Sequence, residues 1–366
     1  MIRIAEIINF LETVAPLSLQ ESYDNAGLLT GDPEQQCTGA IISLDVTEAV
    51  LAEAIDKNCN LIIAHHPLIF RGLKRISGAD PVGRIVIGAI RNDIAVYAIH
   101  TNLDNIVDGV NGRLADRLGI LGRQVLQPVA YPLRKLSTFV PDAHLETLRQ
   151  ALFDAGAGHV GKYAGCSFVS SGTGSFTAGE GTNPFAGTKG KPHFEAEQKL
   201  ELIFQAHLEQ RVLDTLFRTH PYEEVAYDIL RLENSNMSVG SGLVGSFAEP
   251  MDERALMDMV SRTCNIPVIR HSPLTGRKVK RIAICGGSGS FLIPKAIAAG
   301  VDAFLTADLK YHDFFEPGGR MLLADIGHYE GEQFTTALLY DLIREKFHTF
   351  AVQKTAFPSN PVNYHQ

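Results

Sequence analysis

Two linked stretches decide the fold: Ala40-Ile-Ile-Ser-Leu-Asp-Val-Thr-Glu-Ala-Val-Leu-Ala-Glu-Ala-Ile55 and Leu61-Ile-Ile-Ala-His-His-Pro67. Residues 40–44 are an apolar run of strand length, the pattern of a strand buried on both faces. Asp45 and Thr47 then mark a helix start before Val50, Leu51, Ala54 and Ile55, which recur at helical spacing. Residues 61–64 return as a second strand, so the stretch reads as a βαβ unit in a mostly parallel sheet. That second strand ends in His65 and His66, and Pro67 turns the chain there.

A comparable unit recurs late in the chain. Residues 281–285 read as a strand, a Gly-rich turn follows, residues 293–299 read as a helix and 303–307 as a strand leading into Asp308. One more apolar strand follows in each half. Residues 96–99 deliver His100 and Asp104, and residues 321–324 deliver Asp325, His328 and Glu332. In open α/β sheets, sites lie outside the carboxyl ends of strands, so both halves aim polar groups at one crevice. The two halves are either a duplicated architecture or two ordinary βαβ units.

Between them the pattern changes to strand 136–140, helix 143–155, strands 166–170 and 199–206, helix 208–218 and strand 226–230. This is the βαββαβ order of a ferredoxin-like domain, and residues 171–192 read as a long hairpin loop within it. The expected class is therefore α/β: two related βαβ-containing lobes, 1–130 and 236–366, form one core interrupted by an α+β insertion over 131–235.

Composition sets bounds. The 366 residues are 45% hydrophobic and 20% charged, values of a compactly folding chain with more than one structural unit. A net charge of -8 gives no overall attraction to phosphate backbones, so nucleic acid is not the expected partner. The basic runs at 71–75 and 277–281 read as solvated strand or loop ends. Five scattered cysteines without a C-x-x-C pair predict neither a disulfide scaffold nor a thiolate zinc site. The N-terminus reads as an amphipathic helix, with Ile4, Ile7, Ile8, Leu11 and Val14 on one face up to Pro16, rather than as a signal segment. No apolar stretch is long enough to span a bilayer, and a cytoplasmic location without membrane contact is expected.

The chemistry gathers in a few residues. Two adjacent histidines at a strand end, His65 and His66, can each offer a ring nitrogen to a different metal of a pair. Asp104, four residues beyond His100, reads either as a further ligand or as a loop cap. His328 and Glu332 stand at i, i+4 spacing and share one face of a helix, whereas Glu330 falls on another. Three imidazoles and two carboxylates suit zinc, manganese, iron, cobalt or nickel rather than calcium. They are too few to fill two coordination shells, and open positions favour a catalytic site. Gly286-Gly-Ser-Gly-Ser290 lacks the phosphate-loop pattern and reads as a tight turn or, less simply, an anion nest.

These residues resemble the Nif-three-like family, the GTP cyclohydrolase I type 2 homologs that form dinuclear-metal-centre hexamers. The likeness is carried by Tyr23-Asp-Asn-Ala-Gly-Leu28, Leu44-Asp-Val-Thr-Glu48, Ala64-His-His-Pro67, His100-Thr-Asn-Leu-Asp104, Leu305-Thr-Ala-Asp-Leu-Lys-Tyr-His312, Asp325-Ile-Gly-His-Tyr329 with Glu332, and Ser359-Asn-Pro361. It implies two divalent metal ions per chain. His66 and Asp104 would serve one, His65 and His328 the other, with Glu332 bridging and His100 beside the site. The middle segment resembles the CutA and PII-type insertion of longer bacterial members, through Gly156-Ala-Gly158, Cys166-Ser-Phe168, Gly172-Thr-Gly174, Asn183-Pro-Phe185 and His220-Pro-Tyr-Glu223. Thr306-Ala-Asp308 stands where many members have Thr-Gly-Asp.

The expected function is a metal-dependent hydrolase acting on a nucleotide or phosphoester, GTP being the substrate the family label implies. The rival expectation is a non-enzymatic metal-binding regulatory or scaffold assembly whose insertion senses a small molecule. The resemblance also implies a homohexamer built from two trimers.

Overall fold

The computed structural model describes residues 2–129, 133–161, 163–234 and 239–365. The boundaries expected at residues 130 and 235 lie outside the described residues. The chain forms two compact units, one of residues 1–128 with 237–366 and the other of residues 129–236.

The first unit contains two sheets. In the five-stranded sheet the order is Gly27–Thr30, Ala95–Ala98, Leu61–Ala64, Ala40–Ser43 and Val352–Lys354. Only the Gly27–Thr30 edge runs antiparallel to its neighbour. The three inner strands are buried at every position because both faces are covered. Ile42, Ile63 and Tyr97 face the helices Ile4–Val14 and Thr335–Lys346. Ile41, Ile62 and Val96, one residue out of phase, face Glu48–Asp56 and Pro81–Arg91. Thr47 caps the first of these, its hydroxyl accepting from the Val50 amide at 3.2 Å. Asp45, expected to help start that helix, faces the site instead.

In the six-stranded sheet the order is Arg270–His271, Leu322–Asp325, Ala303–Ala307, Lys278–Ser288, Gly240–Asp252 and Leu121–Pro128. Its central three strands are parallel, like those of the first sheet. The sheets do not follow the expected lobe boundaries. The strand Leu121–Pro128, from the first segment, closes an edge of the second sheet, and Val352–Lys354, from the last, closes an edge of the first. Each segment supplies the edge strand its own hydrophobic pattern cannot assign. Among the described residues no helix is long and apolar enough to cross a membrane.

The second unit is an antiparallel sheet in the order Phe168–Thr177, Pro192–Gln205, Leu133–Pro141, Tyr227–Leu232. The helices Leu145–Asp154 and Glu209–Thr219 bury Leu148, Leu152, Val212 and Leu216 against it. The hairpin is longer than the sequence suggests. Its strands pair from Phe168 opposite Glu201 out to Thr177 opposite Pro192, so residues 171–177 of the stretch expected as loop are strand and residues 178–191 make the connection. Backbone pairing overrides the low strand propensity of that composition.

Gly31 shows how tightly the first sheet closes. Its φ is +106°, and an added Cβ would lie 2.5 Å from Ala95 Cβ and 2.6 Å from Ala95 Cα. The Gly31→Ala substitution is expected to destabilise the first unit by about 2 kcal/mol or more, through backbone strain and overpacking together. Thermal unfolding followed by circular dichroism checks this, and an unchanged midpoint would refute the close approach.

Candidate metal centre

The site is assembled where the strands Leu61–Ala64, Ala95–Ala98, Ala303–Ala307 and Leu322–Asp325 end. Past Ala64, the His65 amide bonds Ser43 O at 3.2 Å and the His66 amide bonds Leu44 O at 2.9 Å, so the backbone stays in register while both rings leave the strand. His65 is wholly buried. Its Nδ1 lies 2.8 Å from Ile99 O, which can only accept, so Nδ1 carries the proton and Nε2 presents a lone pair.

Three more imidazoles are held the same way, each by a carboxylate. Nδ1 of His66 lies 2.7 Å from Asp45 Oδ1, Nδ1 of His100 2.7 Å from Asp24 Oδ1 and Nδ1 of His328 2.7 Å from Asp308 Oδ2. Anchoring one ring nitrogen on a carboxylate or carbonyl orients the other, the arrangement typical around metal-binding histidines. Asp308 takes a left-handed backbone with φ +57°, a strained position for a side chain other than Gly that turns its carboxylate toward His328. Asp45 is tied in turn to the C-terminal segment, since Ser359 Oγ donates to its Oδ2 at 2.6 Å.

The Nε2 atoms converge on Glu332, which is 3% exposed. Its Oε2 lies 2.9 Å from His66 Nε2, 3.1 Å from His328 Nε2 and 3.9 Å from His65 Nε2. The short helix His328–Glu332 brings both of its end residues to one side. Glu330, on the other face, accepts from Asn360 Nδ2 at 3.0 Å. Room for the Glu332 carboxylate comes from Gly287, where an added Cβ would stand 2.1 Å from Glu332 Oε1. The Gly-rich stretch is therefore not simply a turn. The strand Lys278–Ser288 runs through it, and the missing side chain makes the cradle.

Asp104 ends the helix Thr101–Asp104 and places Oδ1 3.7 Å from His65 Nε2. That distance is too long for a hydrogen bond, and both atoms are buried without a hydrogen-bond partner. His66 Nε2 and His328 Nε2 lie 3.3 Å apart, two lone pairs facing each other whenever both rings are neutral. Buried polar atoms left like this could hold a cation. Ligand atoms of His65, Asp104 and Glu332 lie within 4.8 Å of one another, as do those of His66, His328 and Glu332 and those of His65, His66 and His100. All six residues singled out in the sequence thus meet at one place. Within these groups His65 stands beside Asp104, and His66 beside His328. Asp325 is not part of the group, for its Oδ2 accepts from Arg270 and from the Leu309 amide.

The electrostatics follow from burial. Burial pulls His65 down and keeps it neutral. It pulls on His66 and His328 as well, but Asp45 with Glu332 and Asp308 with Glu332 outweigh it, holding the rings at about 9 and about 11. Burial, reinforced by the charge of Glu332, pushes Asp104 well above the usual carboxylate range. Burial opposes ionisation of Glu332 too, yet hydrogen bonds from His328 and His66 hold it far below that range. Without a metal, imidazolium protons supply the positive charge this carboxylate needs.

Asp24 and Ser359 were seen in the sequence only as members of motifs and Asp45 also as part of a helix start, and their tasks at the site were missed.

With this geometry established, comparison with known proteins is decisive. Residues 2–361 match the Duf34/NIF3 (NGG1p interacting factor 3) family. The chain belongs to this family. It is 39% identical over 307 residues to the GTP cyclohydrolase 1 type 2 homolog of Halalkalibacterium halodurans, covering 84% of this chain and 82% of that one. It is 39% identical over 328 residues to the protein of the same name from Bacillus subtilis, covering 88% and 87%. A crystal structure of a Bacillus cereus protein related to NIF3 superposes with a TM-score of 0.85 at 35% identity, over 100% of this chain and 99% of that one.

Metal content should follow these side chains. His66→Ala and His328→Ala are each expected to lower the transition metal bound by protein purified without chelator, read by inductively coupled plasma mass spectrometry. Full retention in both would refute the site. The pH dependence has a definite sign. In the metal-free protein His66 stays protonated up to about 9, above its ordinary value, and must shed that proton to ligate. Metal affinity should therefore fall with falling pH, by about tenfold per pH unit for each proton displaced. A flat profile between neutral pH and pH 9 would contradict this account.

Proposed function

We propose that this family member is a metal-dependent hydrolase acting on a nucleotide or phosphoester at a dinuclear centre. His65, Asp104 and Glu332 would hold one ion, and His66, His328 and Glu332 would hold the second. The reading is carried by the two unpartnered buried atoms, His65 Nε2 and Asp104 Oδ1, across Glu332 from the facing Nε2 pair. Zinc, manganese, iron, cobalt and nickel suit this donor set. Two such ions, when bound, make hydroxide available near neutral pH and neutralise charge on attacking and leaving oxygens.

The chain's own residues supply the rest. His100 donates from Nδ1 to an Asp24 carboxylate held down at about 2, which fixes its ring at the edge of the site. A cavity of about 820 Å³ opens over the centre, large enough for a nucleotide. Tyr23, Phe70 and Phe291 line it as exposed aromatic rings that suit a flat base. The relatives' name includes GTP cyclohydrolase, which makes GTP the first substrate to try. Metal-loaded protein is expected to turn over GTP or bis(p-nitrophenyl) phosphate, with the activity lost in Glu332→Ala and on chelation. Absence of turnover on both by metal-replete protein would favour the scaffold reading.

We also propose that the second unit is a ferredoxin-like insertion of the CutA and PII type, that the protein works in the cytoplasm, and that six copies assemble as two trimers. The edge strand Tyr227–Leu232 supports assembly, because Phe217, Tyr227 and Leu230 leave apolar surface exposed beside it. Light scattering on dilute protein should give a mass near six chains, and a mass near one chain would refute the ring. Deleting the second unit should weaken assembly and leave the metals bound.

A further inference from the structure

Three motifs of the second unit have no part in the metal chemistry: Gly172-Thr-Gly174, Asn183-Pro-Phe185 and His220-Pro-Tyr-Glu223. They are far apart in sequence, yet all three line one cavity of about 650 Å³. Its size is that of a small-molecule pocket. The walls are aromatic. Phe176 and Phe185 flank Tyr222 at ring-centroid distances of 6.4 and 5.9 Å, and Phe139 contributes a further ring.

The charged groups in these walls are mostly acidic, Glu197, Glu223 and Glu224 against Lys199. Glu197 folds across Gly174, where an added Cβ would stand 2.0 Å from its Oε2, so the glycine is what admits the carboxylate. Tyr222 donates to Glu197 Oε1 at 2.8 Å. Burial, and then the Glu197 charge, push the Tyr222 hydroxyl up, so it remains the donor. Its ring is braced by the Tyr222 amide bonding His220 Nδ1 at 3.1 Å. Glu223 also lines the cavity and ties the Asn183 amide through Oε1 at 2.8 Å, leaving Oε2. The one lysine of the lining, Lys199, is taken up by Glu201 at 3.0 Å. Aromatic faces beside an uncompensated carboxylate attract organic cations, through the ring quadrupoles and the opposite charge together.

We propose that this cavity is a second ligand site, separate from the metal centre, that takes a small organic ammonium compound with an apolar body. Glu197 faces the cationic head, while Phe176, Phe185 and Tyr222 enclose the substituents on nitrogen. Anionic ligands are rejected because, among the described lining residues, the one cation, Lys199, is paired with Glu201.

Benzyltrimethylammonium is a suitable probe, since its nitrogen has no lone pair and cannot ligate a metal. Titrated calorimetrically into the full-length metal-loaded protein, it should bind saturably at one site per chain with metal content unchanged. Glu197→Gln, which preserves shape, and Phe185→Ala, which truncates an exposed ring, should each weaken binding about tenfold or more. Phenylacetate and benzyl alcohol should bind at least about tenfold more weakly than the cation. Absence of saturable binding, parent-like binding by both variants, or phenylacetate binding as tightly as the cation would overturn the proposal.

Discussion

A carboxylate as deeply buried as Glu332 has to be met by positive charge, and the first unit is arranged around that requirement. Leaving such a group ionised and unpaired would cost far more than any single contact returns. Four imidazoles surround it or stand beside it, and each is turned to present Nε2 because Nδ1 is held from behind. The holding groups come from separate parts of the chain: Ile99 O, Asp45, Asp24 and Asp308. Positive charge at the centre can come from imidazolium protons or from metal cations, and the same donor geometry serves both. The site therefore need not collapse when a metal leaves, since protons fill the same electrostatic role.

This requirement explains features that would otherwise look unrelated. Gly287 is a glycine because the Glu332 carboxylate occupies its side-chain space, and Asp308 accepts a strained backbone because His328 needs its carboxylate there. Local strain at such points persists only where surrounding structure holds it, and Gly287 lies within, and Asp308 directly after, two paired parallel strands. The exchanged edge strands add to that rigidity. Since Leu121–Pro128 and Val352–Lys354 each close the sheet of the opposite chain segment, the two sets of ligands cannot separate without breaking backbone ladders.

Much of this was legible in the sequence, for identifiable reasons. The buried parallel strands announce themselves as short apolar runs, and Leu61–Ala64 and Ala303–Ala307 fall where periodicity puts them. His65, His66, Asp104, His328 and Glu332 stood out because polar residues at strand ends have little structural reason to be there. What escaped notice was relational. A strand's partner is not encoded in its own pattern, so the crossing of Val352–Lys354 into the first sheet had no local signal. Asp45 looked like a helix start because Thr47 two residues later is one, and nothing nearby says that its carboxylate points to a ring 21 positions away.

The positions of these anchors bear on how the centre is tuned. His65 is fixed by a backbone carbonyl, which is neutral, while His66 and His328 are fixed by carboxylates. A carboxylate behind a ring makes its Nε2 the more basic ligand and adds negative charge near the ion it serves. The two halves of the centre therefore differ in donor strength although they share Glu332. The half holding His66 and His328 carries two carboxylate-backed imidazoles, whereas the half holding His65 has one neutral-backed imidazole and the direct charge of Asp104. Such asymmetry gives the first group the stronger imidazole donors and the second the harder oxygen ligand, so a cation held by one would meet a different donor set from a cation held by the other.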